Sequence, residues 1–355
     1  MSIYFQLKNL LKLITLIHFS EMSSNSSNVA PIANLDILSA ELNRYLSIGI
    51  FLFGTIGNVL NCLALSHRTL RSNPCATLFL ASSISSLVTL VSGVAVRFLA
   101  GWSADLTNTV GWLCKLRIFV LFASRTVASW LIALATIDRW FSSSVDPHRR
   151  QISSLKNAQR GIVLIICFSS LVYAQIFYCY EANLTNTPLM CYGKTAWCII
   201  LINSEFTFIS EFVPSSLMFI FGLMTIINVR KAALRRVQPI RMRISVQGDA
   251  NKNATLLQLR KAERHLLLML FMQVILLTLF SLPQAIQNLY SNITVYLLKT
   301  SSTSPFTNFI FNLFFLLTYV SNGMPFYIYT LIGGSTFRKA LMDVLRELCR
   351  KIIRQ

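Results

Sequence analysis

Apolar residues along this chain gather in seven long runs, separated by short polar or basic connections. The runs extend roughly over Tyr45–Ser66, Ala76–Leu99, Leu116–Ile137, Gly161–Tyr178, Ala196–Asn228, Leu266–Ile286 and Phe306–Ile332. Crossing a hydrocarbon layer about 30 Å thick takes ~20 mostly apolar residues in helical form. Backbone polar groups find no water in that layer, so runs of this length predict helices rather than open strands. The expected fold is all-α, a seven-transmembrane helix bundle over residues 45–334, preceded by a tail of residues 1–44. In the remaining segment, residues 335–355, Phe337, Leu341, Val344, Leu345 and Leu348 recur at helical spacing. Arg338, Lys339, Arg346 and Arg350 fall between them, which predicts an amphipathic helix lying at a membrane surface.

Composition supports a membrane chain. Hydrophobic residues make up 54% and charged residues only 13%, against about 25% charged in soluble domains. The net charge of +19 would suit a nucleic-acid partner, but its distribution points to topology instead. Arg68 and Arg71 fill the first connection, four basic residues lie between Arg149 and Arg160, ten between Arg230 and Arg264, and six between Arg338 and Arg354. In a seven-span layout all four stretches fall on one side. Excess Lys and Arg in short connections mark the cytoplasmic side. The amino terminus is therefore expected outside a plasma membrane that the chain crosses several times, with acidic lipid and no nucleic acid as a partner of the basic face.

Within the tail, Leu10 to Phe19 is apolar but Lys12 interrupts it and no small-residue cleavage site follows, so no clear signal-peptide pattern results. Three sequons, at Asn25, Asn183 and Asn292, fall in segments assigned to the outside and are expected glycosylation sites. Eight cysteines include no CxxC pair and the four histidines are scattered, so no metal or other cofactor is expected. Cys62, Cys75 and Cys167 lie within or at the ends of spans. Cys114, at the outer end of the third span, faces the oxidising side together with Cys179, Cys191 and Cys198, and the connectivity among these is open.

The remaining landmarks form an ordered set. Gly57-Asn58 sits in the first span, Trp102 in the first outer loop, Cys114 at the head of the third span and Asp138-Arg139-Trp140 at its foot. The 25 residues from Cys114 to Arg139 correspond to about 37 Å of helix, enough to join two membrane faces. Pro214, Pro283 and Pro325 punctuate the last three spans. In this set the chain resembles the rhodopsin-like G protein-coupled receptors, over about Tyr45 to Cys349. The strings Phe221-Gly222-Leu223-Met224-Thr225-Ile226-Ile227-Asn228-Val229-Arg230 and Pro325-Phe326-Tyr327-Ile328-Tyr329-Thr330-Leu331 are similar to invertebrate neuropeptide receptors of the FMRFamide type.

That resemblance implies a receptor that converts binding of an extracellular ligand into activation of a heterotrimeric G protein. It implies a Cys114–Cys191 disulfide, and an activation switch in which Arg139, beside Asp138, pairs with Glu263 at the inner start of the sixth span. Tyr329 would take the role of the seventh-span tyrosine. Departures from the pattern are also plain. Ser86 stands where a sodium-holding Asp is usual, Ser281 where a span-six tryptophan is usual, and the NPxxY string is replaced by Asn322-Gly323-Met324-Pro325-Phe326-Tyr327-Ile328-Tyr329.

The resemblance also limits the ligand. Leu121 stands where amine receptors carry an Asp, and no lysine lies between Phe306 and Ile332 to hold retinal. Of the charged residues in the outer half, Arg97, Lys115 and Arg117 near helix ends are expected to snorkel to headgroups. Arg117, Leu121 and Arg125 share one helix face, and Arg125 and Glu211 lie deeper, where they either pair with each other or meet the ligand. One expected ligand is a short peptide, amidated, whose cationic residue meets Glu205 or Glu211 while Gln284, Gln287 or Asn288 binds its backbone. The rival is an anionic small molecule or lipid on Arg117 and Arg125. No internal repeat suggests a transporter, and no HExxH or GxSxG string suggests an enzyme.

Overall fold

The structure is a computed structural model. It describes residues 38–353 apart from residues 39, 68–69, 71, 102–104, 145, 185–186, 188, 243–249, 299–304 and 333. The tail with Asn25, and Trp102, lie outside the described residues.

The chain is a helical bundle. Its long helices are α1 (Asn43–Leu65), α2 (Pro74–Leu99), α3 (Gly111–Ser142), α4 (Leu155–Cys179) and α5, which is apolar over Ala196–Val229 and continues to Met242. After them come α6 (Ala250–Leu298), α7 (Pro305–Gly323), α8 (Pro325–Ile332) and α9 (Gly334–Ile353). Among the described residues six helices are long and apolar enough to cross a membrane, and a seventh span results if α7 and α8, bent by 45° at their junction, are taken together. Pro325 explains the break, because its ring removes a backbone donor and crowds the preceding turn.

Starts of helices follow local chemistry. Asn73 accepts from the Cys75 amide at 3.0 Å with Pro74 in the first turn of α2, and Thr195 does the same for the Cys198 amide at the start of α5. At the far end of α8, Arg338 donates to the carbonyls of Thr330 and Leu331 at 2.8 and 2.9 Å, satisfying two groups a helix end would leave bare.

The helix α3 threads the centre, packing on α2, α4 and α5, while α1, α2, α5, α6 and α7 close around it. Its most apolar window is 61% buried, against 17–44% in the other candidate spans. The bundle is inverted relative to a water-soluble one. Leu52, Ile56, Val163, Leu164, Leu171 and Phe212 are exposed, whereas Asn58, Asn61, Ser82, Ser86, Thr136 and Gln273 are buried. Apolar groups outside and bonded polar groups inside suit a lipid surround, where interhelical hydrogen bonds and small residues hold helices together. Asn58 shows this locally: its amide donates to the Gly54 and Asn322 carbonyls at 2.9 and 3.0 Å. Gly54 and Gly323 let α1 and α7 touch along their backbones, for a Cβ on Gly323 would lie 2.8 Å from the Gly54 Cα.

Among the described residues three helices carry wider π turns, the first at Leu42–Leu46 where α1 begins. In α5 this covers Phe206–Phe212, and donors on α3 meet its carbonyls: Trp130 Nε1 reaches Ile209 O and Ser129 Oγ reaches Ser210 O, both at 2.9 Å. The third is Val91–Ala95 in α2.

One expected boundary is corrected. The sixth span does not end at Ile286; α6 runs on to Leu298, so Asn292 is helical rather than in a loop. Its polar residues do not break the helix because α5 satisfies them: Asn292 Nδ2 donates to Ser204 Oγ at 3.0 Å, and Asn203 Nδ2 donates to Asn292 Oδ1 at 3.1 Å.

Candidate functional site

At one end of the bundle a short hairpin lies over α3. Its strands β1 (Tyr180–Glu181) and β2 (Tyr192–Gly193) are antiparallel, with Tyr180 opposite Gly193 and Glu181 opposite Tyr192. Cys114 and Cys191 are joined, with their Cα atoms 5.8 Å apart, which fixes β2 to the head of α3. A second disulfide, Cys179–Cys198, closes the two ends of the same loop. The Asn183 amide, at φ 60°, donates to the Asn108 carbonyl at 2.9 Å, so the hairpin also leans on the preceding loop. Asn tolerates that left-handed backbone better than most side chains. Burial pushes the Tyr192 phenol up to about 12 and raises that of Tyr180, so both remain neutral hydrogen-bonding groups at physiological pH.

Beneath the hairpin is a cleft of about 30 Å³. Leu121, Phe122, Phe206, Phe311 and Phe315 supply apolar wall, and Gln284 and Asn288 supply amides. Two cations reach it, Arg97 and Arg117, and no acidic side chain lines it among the described residues. Neither arginine snorkels, a correction of the sequence reading. Arg97 is only 5% exposed; Nη1 donates to Asn312 Oδ1 at 2.8 Å and Asn43 Oδ1 at 3.2 Å, and the guanidinium lies 4.4 Å over the Phe315 ring. Arg117 turns to the loop between α2 and α3, donating to Thr107 Oγ1 at 2.6 Å and lying 3.6 Å from Asp105. The inward direction was missed because hydropathy places these residues near helix ends without saying which face they occupy.

Arg125 and Glu211 lie below the cleft, paired with each other. Nη2 of Arg125 donates to Glu211 Oε1 at 3.0 Å and Nη1 to Thr318 Oγ1 at 2.7 Å, joining α3, α5 and α7. The guanidinium is 4.7 Å from the Phe206 ring centre and 5.9 Å from that of Tyr319. Phe206 is thus shared, walling the cleft and covering the ion pair. Tyr319 fits because Gly93, in the π turn of α2, has no side chain; a Cβ there would lie 2.2 Å from the tyrosine oxygen. Sequence reasoning did not single out Phe206, Thr318 or Tyr319. An aromatic or a threonine in a span carries no signal of its own until an opposing charge is seen beside it.

The other predicted residues divide. Gln284 and Asn288 are joined, Gln284 Nε2 donating to Asn288 Oδ1 at 2.8 Å, and Gln287 is buried alongside. Glu205 accepts from Gln175, between α4 and α5, and does not line the cleft. Glu211 is occupied by Arg125. The expectation that either glutamate waits for a cationic ligand group is therefore not met by this geometry.

At the opposite end, Ser153 Oγ donates to Asp138 Oδ1 at 2.7 Å, holding the foot of α3 to the turn before α4. Arg139 is partly buried there, and the side chain of Glu263 lies outside the described residues, as does any pairing between them. Tyr329 is buried; its hydroxyl donates to Gln273 Oε1 at 3.1 Å, and its ring packs 5.0 Å from that of Phe79 and 5.9 Å from that of Phe337. It thereby touches α6, α2 and α9. Among the described residues no group of three His, Cys, Asp or Glu side chains could hold a metal ion.

The chain matches no protein-family model and no curated protein sequence.

Proposed function

We propose that this chain is a membrane receptor of the rhodopsin-like kind, which binds a small extracellular ligand, a short peptide, in the cleft beneath the hairpin and activates a heterotrimeric G protein at the opposite end. The observation that carries the reading is Phe206. Its ring walls the cleft on one side and covers the Arg125–Glu211 pair on the other, so whatever fills the cleft bears on a contact that ties α3, α5 and α7 together. A ligand can shift a two-state equilibrium only through contacts that differ between the states. The shared aromatic wall is where, in this proposal, a ligand would bear on the buried ion pair.

Further support comes from the layout. The buried polar side chains run from the cleft through Arg125 and Asn58 to Tyr329 and Gln273, and every one of these four takes part in an interhelical hydrogen bond. Basic residues of the segment after α3, Arg149 and Arg150, lie at the Asp138 end, which fits a cytoplasmic face meeting acidic lipid and a partner protein. In this reading the disulfide end is extracellular, the membrane is the plasma membrane, and α9 lies along its inner surface.

The test is expression in cells followed by a screen of short peptides, read by calcium and cyclic nucleotide responses and by nucleotide exchange on G proteins in isolated membranes. Ligand-dependent exchange supports the reading. Purified protein that moves ions or solutes across liposomes, without stimulating exchange on any G protein, overturns it.

A further inference from the structure

We infer that the cleft takes a ligand bearing a carboxylate on an apolar, aromatic-compatible body, and that Arg97 is the residue that receives it. The inference rests on the proposed receptor reading for its biological setting, but its argument is electrostatic.

Three basic side chains stand in or just below the cleft, and the structure accounts for two. Arg125 has Glu211 at 3.0 Å and Arg117 has Asp105 at 3.6 Å. Arg97 has neither: among the described residues no carboxylate lies within ion-pair distance of it, and its partners are neutral, namely the oxygens of Asn43 and Asn312, the Tyr319 hydroxyl and the face of Phe315. Its Nη2 atom is buried without a hydrogen bond. A guanidinium so enclosed, with one fork nitrogen unmet, is costly unless an anion completes it. The planar fork matches a carboxylate better than it matches any neutral acceptor.

The rest of the lining agrees. No acid faces the cleft to repel an anion, whereas a cationic ligand would meet Arg97 and Arg117 and no counter-charge. Oε1 of Gln284 is buried and also without a partner, so it calls for an N–H donor on the ligand. Phe311 and Phe315 on α7 and Phe122 and Phe206 on the far side leave apolar surface for the body. A carboxylate, an amide N–H and an aromatic or alkyl group occur together at the free carboxyl end of a peptide and in N-acyl amino acids. An amidated peptide lacks the charge that Arg97 requires.

Two probe pairs separate these sources on purified receptor in lipid nanodiscs, read by thermal stabilisation and by direct binding. The first is a phenylalanine-ending tripeptide as free acid and as carboxamide. The second is N-acyl-phenylalanine as acid and as amide. In whichever pair binds, the acid should bind about tenfold or more tightly than its amide, the scale of one charge-assisted contact. Arg97→Gln should collapse that ratio toward one, and Arg97→Lys, which keeps the charge in case the first variant fails to fold, should reduce it in part. Equal binding of acid and amide, preference for the amide, an unchanged ratio in Arg97→Gln, or no stabilisation by either acid at millimolar concentration overturns the inference. Because the readout uses no G protein, acid-selective binding with no nucleotide exchange would defeat the receptor reading while leaving this assignment standing. Exchange driven by an amidated peptide would do the reverse.

Discussion

Arg125 and Glu211 meet at 3.0 Å in the middle of the bundle, with 3% and 8% of their surfaces exposed. Removing one member of such a pair strands the other, at a cost of about 3–5 kcal/mol. Glu211→Gln and Arg125→Gln should each lower the melting temperature of the purified protein substantially. The exchanged pair, Arg125→Glu with Glu211→Arg, should recover part of the loss. A double-mutant cycle on thermal unfolding that shows no coupling would mean the contact contributes nothing.

If the proposed receptor reading holds, Phe206 should separate ligand recognition from transmission. Phe206→Leu keeps an apolar wall but loses the ring beneath which Arg125 sits. We expect ligand affinity to fall by only a few-fold and the maximal response to fall much more, measured as dose-response curves at matched surface expression. A pure affinity loss with full response would show that the ring only packs.

The two disulfides make separable contributions. Losing a native disulfide costs ~2–5 kcal/mol. Cys114→Ser or Cys191→Ser should cut surface expression and ligand binding, because β2 is then released from α3. Non-reducing peptide mapping should recover Cys114 with Cys191 and Cys179 with Cys198; Cys191 found with Cys179 would refute this connectivity.

Glycosylation should distinguish two asparagines. Asn183 is exposed on the hairpin loop, with Nδ2 donating to the Thr109 carbonyl at the surface, whereas Asn292 lies within α6 with both its Nδ2 and its Oδ1 bonded to side chains of α5. Asn183→Gln should increase mobility on gels after expression in secretory cells and Asn292→Gln should not. The reverse result would contradict the path of α6.

At the Asp138 end, the expected latch between Arg139 and Glu263 has its own check. Glu263→Ala should raise ligand-free signalling at equal surface expression. Unchanged basal activity would remove the latch from the mechanism.

The helices were legible in the sequence because lipid imposes a blunt rule: a long apolar run must be helical. The bend between α7 and α8 at Pro325 was not foreseen, because the apolar run Phe306–Ile332 is continuous through it. Side-chain direction was harder. Arg97 looks like a snorkelling residue when judged by distance from a helix end, yet it follows the π turn Val91–Ala95 and points among α1 and α7. A π turn adds a residue and rotates everything after it, and no simple periodicity reveals that. Asn292 misled for a related reason. Polar residues in a run suggest that a helix has left the membrane, unless a facing helix satisfies them, and Asn203 and Ser204 do so here. Glu211 could be read either as a ligand contact or as half of a pair, and only the register of α5 against α3 distinguishes them.

The hairpin over the cleft is tethered at three places, by Cys114–Cys191, by Cys179–Cys198 and by the backbone bond from Asn183 to Asn108. A cover held so firmly does not swing aside for an incoming molecule. A ligand of the proposed cleft would then have to pass this fixed cover both on entering and on leaving. Differences among related ligands fall mainly on dissociation rates, and this roof would lengthen the stay of any molecule that seats fully. In the receptor proposed here, such a lid would tune the duration of signalling rather than sensitivity to low concentration.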